Sequence, residues 1–142
     1  MRGQRLMLNM SPYLYFTTTP VLLGGKRQAG RLARHLWQLY GRTSHWFGHG
    51  YHYLLTAYSE KHPLPRKISA MSDALLTQIL IDFAKEQPEH PILPLIPCSD
   101  TATAYLERAR SQLEPYFVIF PQEISAKDPL SLLLISQRNE NI

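Results

Sequence analysis

The chain has 142 residues, of which 44% are apolar and 18% charged, the make-up of one globular domain and too apolar for disorder. No uncharged apolar run reaches the roughly 18 residues of a membrane-spanning helix. The single cysteine, Cys98, cannot form an internal disulfide, which favours a cytoplasmic setting. Fifteen Lys and Arg against eleven Asp and Glu give a net charge of +4. The basic residues concentrate between Lys26 and Arg42, spaced as the wet face of one helix and without interleaved aromatics, which argues against a nucleic-acid partner.

Residues 1–19 are polar and aromatic without period and read as an irregular leader. Arg2 and Arg5 precede Asn9, Ser11, Pro12 and three threonines, so the continuous apolar segment of a signal peptide is missing. The domain proper is expected over residues 20–122. Val21, Leu22 and Leu23 form a short apolar run closed by Gly24 and Gly25, the signature of a buried strand and a tight turn. Ala29, Leu32, Ala33, Leu36, Trp37 and Tyr40 then recur at helical spacing, with Arg27, Arg31, Arg34 and Gln38 on the wet side and Gly41 as C-terminal cap.

A weak second strand is expected at residues 45–47, turning at Gly48 and Gly50, and a third at Ile68–Ala70 after the breakers Pro63 and Pro65. Ser72 is placed to cap a helix with Asp73 in its first turn, and Leu75, Leu76, Ile79, Leu80, Phe83 and Ala84 make its apolar stripe. Pro88 and Pro91 bound that helix. The run at residues 92–96 predicts a fourth strand, which Pro94 restricts to a sheet edge or to an early strand position. Asp100 is expected to cap a third helix carrying Tyr105, Leu106, Ala109 and Leu113 on one face, followed by a fifth strand at residues 117–120. Strands alternating with helices imply parallel crossovers, hence a doubly wound α/β domain with a mainly parallel sheet of four or five strands. Residues 123–142 hold Leu130, Leu132, Leu133, Leu134 and Ile135 and then a polar tail. They read as a tail or as the start of a further region.

Three places could carry chemistry. Gly24 and Gly25, with Lys26 beside them, sit between a strand and a helix, where bare backbone and helix N–H groups can approach an anion. The fuller G-x-G-x-x-G fingerprint is absent, so a tight turn explains the two glycines at least as well. Ser99 and Asp100 lie where the fourth strand opens into a helix, the rim at which doubly wound sheets bind ligands. Capping the helix is the competing role for Asp100. Cys98 has no base beside it in sequence. His45, His49, His52 and His62 are the third group. His49 and His52 have metal-ligand spacing if locally helical, but a closed site needs three or four ligands, and surface histidines are the simpler reading. Neither a catalytic constellation nor a metal set can be assigned.

The segments Pro20-Val21-Leu22-Leu23-Gly24-Gly25 and Gly30-Arg31-Leu32-Ala33-Arg34, together with Leu95-Ile96-Pro97-Cys98-Ser99-Asp100 and Leu113-Glu114-Pro115-Tyr116-Phe117, resemble the opening domain of ATP-grasp carboxylate–amine ligases of the D-aspartate-ligase type. The resemblance covers residues 20–122 and implies a three-layer Rossmann-like (pre-ATP-grasp) domain. Such a domain packs on an ATP-grasp catalytic domain, absent from this chain, and helps form the site for a small carboxylate or amine substrate. ATP and Mg²⁺ are implied for the parent enzyme and no cofactor for this chain, which alone would be inactive. On this reading Gly24, Gly25, Lys26, Ser99 and Asp100 contact substrate. Lys26-Arg27-Gln28 departs from the family's usual residues after the glycine turn. A fragment, a truncated product and a degenerate copy all stay open, as do a homodimer and a stand-alone Rossmann-like binding or interaction module without activity.

Overall fold

The computed structural model describes residues 19–88 and 92–120. Within them β1 (Val21–Leu23), α1 (Arg27–Tyr40), β2 (Ser44–Gly48), α2 (Tyr53–Tyr58), β3 (Ser59–Pro63), a 3-10 turn (Ile68–Ala70), α3 (Asp73–Glu86), β4 (Leu93–Pro97), α4 (Asp100–Leu113) and β5 (Phe117–Ile119) follow one another. The five strands form one sheet in the order β3-β2-β1-β4-β5, and every neighbouring pair is parallel. Helices return the chain between strands and leave one layer on each face, a Rossmann-like three-layer arrangement. Among the described residues, no helix is long and apolar enough to cross a membrane.

Alternation along the buried strands divides the core in two. Val21, Leu23 and Leu95 point to the face covered by α3 and α4, where Leu76, Leu80, Tyr105 and Leu106 pack. Leu22, Trp46 and Ile96 point to the opposite face, under Leu32 and Leu36 of α1 and Leu55 of α2. Burying each such side chain contributes about 1.5–3 kcal/mol.

The helix ends follow from local chemistry. Gly41 closes α1 in the left-handed conformation (φ 64°), its N–H donating to the Trp37 carbonyl. The Ser72 hydroxyl accepts the Leu75 N–H and starts α3. At α4 the cap is Ser99, whose hydroxyl accepts the Ala102 N–H at 3.1 Å, and Asp100 stands one residue later, in the first turn. A cap must be extended while accepting a first-turn N–H, which Ser99 does with φ −157°.

Other expectations are corrected. Ile68–Ala70 is a 3-10 turn, and the third strand is Ser59–Pro63, the partner of β2 at the sheet edge. Helix α2 has no counterpart in the sequence reading. Trp37 and Leu75, expected on apolar stripes, are 45% and 47% exposed. One expectation holds: β4 is an interior strand, and Pro94 takes an early position in it, second after Leu93. The Leu93 N–H donates towards β5, so the Pro94 nitrogen faces β1, whose pairing with β4 starts only at Leu95. Pro94 thus removes no bond from that ladder. The leader up to residue 18 and the apolar stretch 130–135 lie outside the described residues.

Candidate functional site

β1 and β4 are adjacent, and from them the chain winds outward in opposite directions. Their carboxyl ends are therefore the switch point of the sheet, where loops diverge and leave a crevice. Gly24 and Gly25 leave β1 with φ of 72° and 64°. The turn is fixed from two sides: the Gly24 N–H donates to the Phe47 carbonyl at 2.9 Å, and the buried Trp46 indole Nε1–H donates to the Gly24 carbonyl at 3.0 Å. The Cys98 N–H donates to the Leu23 carbonyl and brings the end of β4 alongside. A Cβ on Gly25 would fall 2.2 Å from the Cys98 carbonyl oxygen, and one on Gly24 2.9 Å from Ser99 Oγ. Only glycines let the two chain segments pass this closely.

The crevice holds about 320 Å³, and its walls include Gly24, Gly25, Lys26, Lys67, Ser99 and Thr101. Four of the five residues expected to contact ligand therefore meet in one solvent-open cleft. Asp100 does not line it and stands exposed on the first turn of α4. Lys67 and Thr101 were missed because nothing in their local sequence marks a ligand contact. Lys67 stands at the N-cap of the 3-10 turn that follows β3. Gly30 of α1 admits Leu54 of α2, whose Cβ would be 2.9 Å from a Cβ at that position. Cys98 is buried, and burial pushes its thiol up to about 12, leaving no thiolate to act as nucleophile.

The histidines separate by role. His52 caps α2, its Nδ1 accepting the Leu54 N–H at 3.3 Å, and His49 is exposed at the cleft wall. His45 and His62 meet instead, on the sheet face towards α3. Strand register pairs His45 with Glu60 and Phe47 with His62, so all four side chains share one face. His45 Nδ1 lies 2.8 Å from His62 Nε2, and the Glu60 carboxylate places its oxygens 3.7 and 3.8 Å from these nitrogens. The His62 ring stacks on Phe47 at 4.4 Å, and both imidazoles meet the Phe83 ring at 4.7 and 5.0 Å. Burial lowers the pKa of both histidines, with Glu60 opposing the shift. The cluster opens on a hollow of about 680 Å³, also bounded by Ile79, Asp82 and Glu86 of α3. Among the described residues this is the one set of three whose donor atoms could converge on a metal ion.

No protein-family model matches the chain, and comparisons with curated proteins and with solved structures yield no match. The likeness to the carboxylate–amine ligases therefore rests on the sequence motifs quoted above.

Proposed function

We propose that this chain is a small-molecule-binding Rossmann-like domain that takes an anionic group of its ligand, a carboxylate or a phosphate, in the cleft between the ends of β1 and β4. The observation that carries the reading is the convergence of Gly24, Gly25, Lys26, Lys67 and Ser99 on one crevice at the sheet switch point. Two lysines supply positive charge, and the glycines keep the floor free of side chains. Ser99 and Thr101 supply hydroxyls that can donate to or accept from the rest of the ligand. The resemblance to pre-ATP-grasp domains gives this binding a context in the cytoplasm. The domain would help form the substrate site of a carboxylate–amine ligase, with ATP and Mg²⁺ held by a separate catalytic domain.

Calorimetric titration with a panel of dicarboxylates, amino acids and phosphorylated metabolites tests the reading. At least one class is expected to bind one per chain. Lys67→Ala should weaken it about tenfold, the ~1.5 kcal/mol of a hydrogen bond to a charged group. Absence of binding across the panel, or affinity unchanged in a Lys26→Ala/Lys67→Ala double variant, would refute it.

A further inference from the structure

We propose that His45, His62 and Glu60 form a binding site for a divalent transition-metal ion of the zinc class, on the sheet face beneath α3 and apart from the rim cleft. Two imidazole nitrogens and one carboxylate are a donor set for such ions, whereas Mg²⁺ and Ca²⁺ prefer oxygen alone. Here the three donor atoms lie within 4.8 Å of one another. The two nitrogens point at each other across 2.8 Å, and Glu60 straddles them with one oxygen towards each.

The adjustment a metal demands is small. Ligand atoms about 2.0–2.1 Å from a tetrahedral ion lie roughly 3.3 Å apart. The imidazoles must then separate by about 0.5 Å, and the one carboxylate oxygen that binds must close on the nitrogen it does not already face, from a distance of at most 4.8 Å. Rotation of exposed Glu60 supplies part of this without moving the strands. The rings themselves are held: His62 by its stack on Phe47, both by the edge of Phe83, and both backbones by the β2–β3 ladder. Ligands fixed on rigid strands within an apolar surround are what a preorganised metal site requires.

Three protein ligands leave a fourth position, and the donors face the hollow bounded by Asp82 and Glu86. Those two carboxylates add negative potential on the side from which a cation enters. The fourth position would be taken by water or by a donor atom of a ligand seated in the hollow. The competing account is a hydrogen-bonded histidine pair inside an aromatic cluster, with Glu60 as an ordinary surface residue. It predicts no stoichiometric metal binding.

The test uses the full chain, stripped with a chelator and dialysed. Zn²⁺ is titrated by calorimetry and Co²⁺ by visible absorption. One ion per chain is expected, with Co²⁺ giving the intense ligand-field bands of a low-coordinate site. His62→Gln should weaken binding by more than the roughly 10–100-fold that loss of a mere supporting group costs, Glu60→Gln should weaken it less, and His49→Gln should leave it unchanged. Should His62→Gln fail to fold, the wild-type protein decides by NMR: Zn²⁺ must shift the ring signals of His45 and His62 and leave those of His49 and His52 in place. No binding, binding that survives His62→Gln in folded protein, or ring shifts confined to other histidines overturns the proposal.

Discussion

At Gly25 two physical demands coincide, and Gly41, at the far end of α1, lets them be separated. Gly25 and Gly41 share the same left-handed φ of 64°, which costs an L-residue about 1–2 kcal/mol. A Cβ on Gly41 meets nothing within 4 Å, whereas one on Gly25 would stand 2.2 Å from the Cys98 carbonyl oxygen. That oxygen belongs to backbone next to an interior strand and cannot swing aside as a side-chain tip would. Gly41→Ala is therefore expected to lower stability by the conformational term alone, about 1–2 kcal/mol. Gly25→Ala should cost more, because β1 and β4 must move apart at the rim. Urea midpoints of the two variants make the comparison. Equal losses would mean that the close approach at the rim is not energetically important.

Between elements, the clearest polar tie joins the first turn of α3 to α4. Arg108 donates to both oxygens of Asp73, at 2.7 and 3.0 Å. This pairing, more than the accompanying charge attraction, holds the Asp73 carboxyl below its ordinary value of 3.8. A carboxyl whose pKa is lower in the folded state stabilises the fold above the unfolded value and loses that contribution as pH falls through the folded one. Arg108→Gln should thus lower the denaturation midpoint slightly at pH 7. The difference from wild type should shrink in high salt, because the pair is exposed, and disappear as pH drops below 3.8. A gap that persists unchanged to lower pH would assign the effect to packing by the arginine stem. The two helices joined here were legible from their periodicity, whereas β3 was not. Ser59, Glu60, Lys61, His62 and Pro63 show no apolar alternation because β3 is an edge strand with one neighbour. The segment Ile68–Ala70 competed for the same place and is a turn. The histidine cluster was lost with that strand: His45 and His62 stand 17 positions apart, and only the β2–β3 register brings them together.

The whole molecule was more legible than its parts, since alternating buried strands and helices specify a parallel sheet even when one strand is misplaced. The rim cleft followed from that topology, because Gly24, Gly25 and Ser99 sit at strand ends whatever the order of the edge strands. How the two faces communicate depends on β1, which has only three residues, all fully buried. Val21 and Leu23 enter one core and Leu22 the other, so β1 contributes side chains to both cores. The described domain should accordingly unfold as one unit. Trp46, buried under α1 and α2, reports on one face, and Leu80 lies in the core of the other. In a Trp37→Phe background, Trp46 is the sole tryptophan of the chain. Leu80→Ala should cost about 2–5 kcal/mol, as large-to-small core changes do. It should shift the Trp46 fluorescence transition and the far-UV circular dichroism transition by the same amount, although it touches only the opposite face. If fluorescence kept its original midpoint while ellipticity moved, the two faces would be separate folding units and β1 would not couple them.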